Sequence, residues 1–249
     1  MKNYGNRNTL GNSNTLGDEN TLGHDNTLGD DNTLGHWNTL GNSNTLGHWN
    51  MLGNNNTLGD DNTLGHWNML GNNNTLGNSN TLGNRNTLGN RNTLGHRNML
   101  GNSNTLGDEN TLGHDNTLGN SNTLGNRNTL GNRNTLGNSN TLGDENTLGH
   151  DNTLGDGLRF GKRLQLSGVK VLALMNMSNV DGSGRRITII VHTQGIKIEA
   201  GCFAGTLDEF CEKAISEDKT RYARVVRAAA EALAEDVREK GIDGGWDKE

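Results

Sequence analysis

The sequence predicts a mainly β protein: a parallel β-solenoid of hexapeptide repeats, three per coil in a triangular prism, followed by a small C-terminal α/β cap module. Three observations carry this reading. A unit Asn-Thr-Leu-Gly-x-x runs without a gap from Asn8 to Gly155, and leucine at every sixth position from Leu10 to Leu154 makes 25 copies. A period of six fits neither the helical repeat of about 3.6 nor the coiled-coil repeat of about 3.5. Blocks also recur at multiples of 18: the segment starting at Asn12 returns at Asn102 and Asn138, and His48–Asn55 returns at His66. The one long block outside this rule starts at Asn78 and returns at Asn120, an offset of 42. Three units per coil gives about eight coils, a prism roughly 40 Å long at the usual strand spacing of about 4.8 Å.

Within a unit, Asn8 and Leu10 lie two apart and point inward together, while Thr9 points outward. Gly11, Asn12 and Ser13 make the corner. Asn and Asp dominate the first x position, and with Gly they tolerate left-handed backbone. Three units carry Met in place of Thr, at Met51, Met69 and Met99. An inward Asn must be hydrogen-bonded or costs about 1–3 kcal/mol. Pairing of side-chain amides from coil to coil is the expected solution.

The repeats end at Gly155, which divides the chain into a solenoid (1–156) and a C-terminal α+β module (157–249). Residues 1–156 hold 7 Lys/Arg against 14 Asp/Glu, and residues 157–249 hold 15 against 14. The solenoid is therefore acidic, which disfavours nonspecific binding to nucleic acid. Hydrophobic content of 29% with no proline resembles a disordered chain, and only the strict period argues otherwise. The start of the chain lacks an apolar leader and no long apolar run exists, so a cytoplasmic or virion-associated protein is expected, with no membrane.

In the second half, Leu164–Leu174 reads as one strand, 179–184 as a turn, and Ile187–Thr193 and Ile196–Glu199 as further strands. Thr206-Leu207-Asp208-Glu209 is a capping box that starts a helix. Its apolar face is Leu207, Phe210, Cys211, Ala214 and Ile215. A second helix over about 219–240 carries Tyr222, Val225, Val226, Ala229, Leu233 and Val237, with Gly241 after it. Cys211 reads as core. Cys202, near a helix start, is open to a nucleophilic role, although burial is the stronger reading. The residues through Trp246 are expected to be mobile.

Any function of the solenoid must sit in the two free corner positions. The candidate binding residues are Trp37, Trp49 and Trp67, His48 and His66, and Arg85, Arg91 and Arg97. Trp49 and Trp67 stack on one edge, Trp37 stands on a neighbouring edge, and the three arginines form a basic belt. Exposed Trp on a rigid edge is a contact anchor. Duplication of whole blocks is the competing and stronger account of their recurrence. The histidines lack a metal-ligand pattern, and no catalytic residue, metal or cofactor is predicted.

Two resemblances add to this. Leu52–Gly59, Leu-Gly-Asn-Asn-Asn-Thr-Leu-Gly, resembles the hexapeptide repeat of left-handed parallel β-helices. It departs at the small inward position, Asn here, which leaves handedness open. That family includes acyltransferases with a catalytic His beside a protruding loop, and no loop interrupts these units. Ice-binding solenoids resemble Thr-x-Thr arrays, whereas each strand here offers one Thr. Ala200–Phe210, Ala-Gly-Cys-Phe-Ala-Gly-Thr-Leu-Asp-Glu-Phe, resembles a stretch found near the end of many bacteriophage proteins, which implies phage or prophage origin. The expected function is a non-enzymatic structural or interaction scaffold that self-associates or binds a protein. The alternative is a phage inhibitor of a host protein, possible as an acidic DNA mimic. The C-terminal module is expected to cap the solenoid, because free strand edges otherwise polymerise.

Overall fold

The computed structural model describes residues 2–150, 152–155, 158–178, 180, 186–201 and 203–244, with backbone alone at 178 and 186. The chain divides into two compact units, Met1–Gly161 and Lys162–Glu249.

The first unit is a parallel solenoid. Its strands run from β1 (Thr9–Leu10) to β26 (Arg159–Phe160), each two residues long and one per hexapeptide. Thr9 lies opposite Thr27 and Leu10 opposite Leu28, so one coil is 18 residues. The strands form three sheets, the faces of a triangular prism. Two faces hold nine strands, which makes about nine coils where eight were expected. The extra rung is Arg159–Phe160, where Phe160 takes the leucine place opposite Leu142 although the Leu-Gly pattern has ended.

Leu16 to Leu154 form three buried columns, none more than 3% exposed, and Asn20 to Asn152 are buried beside them. A strand of two residues leaves most backbone groups outside ordinary strand pairing, so the unit must satisfy them otherwise. The unit Asn80–Arg85 shows how. Thr81 donates to the Asn62 carbonyl and Gly83 to the Leu64 carbonyl, both at 2.9 Å, and Arg85 donates to the Asn102 carbonyl at 3.0 Å. Two further N–H groups go to side chains. Asn80 N–H donates to Asn98 Oδ1 one coil later at 2.8 Å. Asn84 N–H donates to His66 Nδ1 one coil earlier at 2.7 Å.

The inner asparagines therefore do not build the expected amide-to-amide ladder. Asn8 Nδ2 reaches Asn26 Oδ1 at 3.2 Å, but along the columns Oδ1 takes a backbone N–H instead. Asn86 Nδ2 turns back to its own corner and donates to the Gly83 carbonyl at 2.9 Å. A backbone N–H with no strand partner is the more demanding donor, and it claims the oxygen. At Asn68 and Asn80 the Nδ2 group is buried with no hydrogen-bond partner.

The corners also differ from expectation. Left-handed backbone falls on the second x residue, at φ between 56 and 62° in the corners from Arg7 to Glu145, and not on the first x residue. Glycine serves a different end. A Cβ at Gly83 would stand 2.5 Å from His66 Nδ1 and 2.7 Å from the Gly65 carbonyl oxygen. The coil before it lies directly there, so only glycine fits. Gly11 and Gly17, with no coil before them, have open space at the same point.

The second unit is an antiparallel sheet with two helices. β27 (Gln165–Leu166) pairs antiparallel with β28 (Val169–Ser178). The single strand expected over 164–174 is thus a hairpin. Ser167 (φ 52°) and Gly168 (φ 80°) are both left-handed, the backbone of a tight hairpin turn. β29 (Arg186–His192), β30 (Gly195–Ala200) and β31 (Phe203–Thr206) continue the meander. β31, which starts at Phe203 and leads into the capping box, was not anticipated.

α1 (Leu207–Ser216) begins at the expected capping box. Thr206 N–H donates to Glu209 Oε2 at 2.8 Å, and Glu209 N–H donates to Thr206 Oγ1 at 3.3 Å. The Thr206 N–H, with the Thr206 hydroxyl 3.0 Å from the same oxygen, holds the Glu209 carboxyl below its usual range. α2 (Thr220–Glu239) ends at Lys240, before Gly241. The core joins Ile187, Ile189 and Ile198 to Phe210, Cys211, Tyr222 and Val226. Ile215, expected on the buried face, is 55% exposed, and Ala223 and Ala230 take buried places on α2. Cys202, Trp246 and most of the 179–184 turn lie outside the described residues.

Candidate functional site

Every first x residue from Asn6 to His150 is Asn, Asp or His. These side chains share one property, an acceptor atom at the δ1 position. The structure uses it: Asn12 Oδ1 accepts from Asp30 N–H at 2.9 Å, Asp60 Oδ1 from Asn78 N–H at 2.6 Å, and His48 Nδ1 from His66 N–H at 2.8 Å. His48 and His66 are thus structural ladder residues, stacked with ring centroids 5.1 Å apart. His96 and His114 stack in the same way. With Nδ1 accepting, the ring proton sits on Nε2. Restriction to these three residue types is the legible mark of the ladder, and turn preference alone does not account for histidine there.

The second x residues point out. Trp49 and Trp67 stack on one edge with centroids 5.0 Å apart and planes 3° from parallel. Trp37, Trp49 and Trp67 are 62%, 56% and 42% exposed. Arg85 continues the Trp column, its guanidinium carbon 4.7 Å above the Trp67 ring. Arg91 is held on another edge by Glu109, Nε to Oε2 at 2.6 Å. Arg127 follows in that column, 2.7 Å from Glu145 and 3.8 Å from Glu109. Arg97 stands on the third edge, in the column of Asp115 and Arg133, which pair at 2.8 Å. The belt of Arg85, Arg91 and Arg97 is therefore three separate columns. Arg85 and Arg91 are engaged along the axis by a ring and a carboxylate.

Sequence reasoning missed the companions of the tryptophans. Met51 and Met69 are neighbours on the strand face that follows the Trp49–Trp67 edge, 49% and 50% exposed. Trp49, Met51, Trp67 and Met69 make a two-by-two apolar block, with Trp37 diagonal to it across the same face. The block recurrence of His-Trp-Asn-Met at an offset of 18 contained this signal.

Two concave regions also lie among the described residues. In the first unit Asn72, Asn73, Asn90, Arg91, Asp108 and Glu109 line a polar groove of about 200 Å³. In the second, Phe203, Phe210 and Tyr222 floor a cavity of about 150 Å³ edged by Lys213, Glu217 and Lys219. No group of His, Cys, Asp and Glu among the described residues is placed to hold a metal. Among those residues, too, no helix is long and apolar enough to cross a membrane.

Compared with known proteins, no family model matches the chain, and no curated protein or solved structure is significantly similar to it.

Proposed function

We propose that the chain is a non-enzymatic interaction scaffold, in which a rigid solenoid presents protein-contacting side chains at its corners. The observation that carries this is the apolar block. Trp49 and Trp67 occupy left-handed positions that favour Gly, Asn or Asp, and each is about half exposed. Stacking along the edge still leaves about half of each ring in solvent, and Trp is the leading anchor residue of protein contacts. The histidines support the same reading, because their Nδ1 atoms are spent on the backbone ladder. The resemblance of Ala200–Phe210 to phage sequences adds a phage or prophage origin.

The alternative is an inhibitor that binds a host protein, as an acidic DNA mimic in its sharpest form. The charge pattern favours the scaffold. Asp18, Asp30, Asp60 and Asp108 each commit one carboxylate oxygen to a backbone N–H, and Glu109, Asp115 and Glu145 are paired with arginine. Affinity capture from bacterial lysate tests the two readings, comparing the native chain with W37S/W49S/W67S. One specific host protein, held by the native chain and lost by the variant, selects the inhibitor. Recovery of the chain with itself alone selects the scaffold.

A further inference from the structure

The face bearing Met51 and Met69 has a pattern along its length. Successive rungs are Thr15, Thr33, Met51, Met69, Thr87 and Thr105, in parallel register. The corner before each rung reads Ser13, Asp31, Trp49, Trp67, Arg85, Ser103. The corner after each reads Glu19, Trp37, Asn55, Asn73, Arg91, Glu109. The apolar block sits in the middle, with Asp31 and Trp37 on the rung to one side and Arg85 and Arg91 on the rung to the other.

Resting on the scaffold reading above, we propose that this face binds a second copy of the chain, antiparallel, about a twofold axis parallel to the strands and midway between the Met51 and Met69 rungs. That operation keeps each edge opposite the same edge and reverses the order of the rungs. Trp49 then meets the partner's Trp67, and Met51 meets the partner's Met69. Asp31 meets the partner's Arg85, an ion pair made twice. Trp37 meets the partner's Arg91, a cation on an aromatic face, also made twice. Arg85 is already stacked on Trp67, and a guanidinium that covers a ring with its face can still meet a carboxylate with its edge, so the two contacts are compatible. Glu19 meets the partner's Glu109, whose charge is offset within its own chain by Arg91 and Arg127.

The parallel arrangement fails on the same residues. A twofold axis along the solenoid sets Trp49 against the partner's Asn55 and Arg85 against the partner's Arg91, like charge on like charge. Self-complementarity is a property of the antiparallel docking alone, which is what an isologous contact requires. The overlap is six rungs at about 4.8 Å by roughly 13 Å of strand, near 400 Å² per partner and about half a standard interface. The dimer is therefore weak and concentration-dependent.

The test is sedimentation equilibrium from about 1 µM to 1 mM, with tryptophan emission followed in parallel in a W246F background. That background leaves Trp37, Trp49 and Trp67 as the only tryptophans. The expected result is a monomer–dimer equilibrium whose emission shifts to the blue as dimer forms. W49S/W67S stays monomeric throughout. D31R and R85D each weaken the dimer about tenfold, and D31R/R85D returns it to within about threefold of the native value. Arg and Asp already occupy these left-handed corners at Arg127 and Asp115, so the swaps preserve the fold, which circular dichroism checks. A native chain monomeric at 1 mM overturns the proposal, as does a dimer that survives W49S/W67S. A double swap no tighter than either single swap also overturns it. A monomeric chain that captures one host protein through these tryptophans would overturn the dimer and select the inhibitor, whereas a dimer that survives W49S/W67S would overturn this docking and leave the scaffold reading intact.

Discussion

The two units solve the same problem by opposite means. The solenoid buries one leucine per six residues and satisfies its backbone between coils, using asparagine from inside and Asn, Asp or His from outside. The second unit buries a mixed core of Ile, Phe, Tyr, Val and Ala between a sheet and two helices, and much of its backbone is paired along antiparallel ladders and within those helices. The lesson is where tolerance lies. In the solenoid nearly every inward side chain has one of the same type 18 residues away, so a local fault propagates along a column. In the second unit a fault stays among a few side chains that can shift.

The largest expected contrast is at the core. Leu82→Asp puts a carboxylate into a column with no polar partner and should cost at least about 4 kcal/mol, unfolding several coils. Loss of solenoid circular dichroism with the second unit's isoleucine methyl resonances unchanged is the expected result. The repeats contain no isoleucine, so those resonances report the second unit alone. An unaltered melt would end the account of the leucine columns.

Glycine sharpens the comparison at smaller scale. A methyl group at Gly83 meets the Gly65 backbone, which cannot yield, and Gly83→Ala should cost about 2–3 kcal/mol. At Gly205 the close atoms belong to the side chains of Glu209 and Phe203. Gly205→Ala should therefore cost under about 1 kcal/mol. Thermal melts of the two variants side by side should show the first destabilised more, and a reversed order would contradict the packing described.

The outer ladder predicts an unusual substitution rule. His66→Asn keeps the δ1 acceptor and should be neutral within about 0.5 kcal/mol, while His66→Ala strands the Asn84 N–H and should lose about 1 kcal/mol. Faster amide exchange at Asn84 in the alanine variant alone would locate the effect. Equal stability of the two variants would show that the ladder contributes nothing.

The smallest effect is titration in the second unit. Burial, with Lys197 nearby, holds the His192 imidazole below its usual 6.5. The unfolded chain then binds the proton more tightly, so this stabilisation is complete above about pH 6.5 and declines as pH falls toward the lowered folded value. Isoleucine methyl resonances followed through denaturation should show the second unit losing stability over that window, and His192→Gln should flatten the loss. A native unit whose stability rises on acidification there would refute the assignment.

Much of this was legible from spacing. Leu10 to Leu154 and the offsets of 18 determined the parallel coils, the three faces, and which residues point in. Thr206 and Glu209 likewise determined where α1 begins, since a capping box is local chemistry. The hairpin at Ser167-Gly168 did leave a mark, the step of three from Leu166 to Val169, which breaks the alternation of a single strand. Arg159–Phe160 was hidden because the register outlasts the motif that announces it. The site was half legible: Trp49 over Trp67 follows from the coil length, but Met51 and Met69 join them only once corner and face are adjacent in space.

The sequence by itself thus determined the period, the coil and the inward columns, because each rests on contacts that repeat at a constant separation along the chain. Only the tertiary structure decided what asparagine, histidine and glycine are for. Their partners are backbone atoms a full coil away, and a pattern of side chains carries no mark of which backbone groups the short strands leave unpaired.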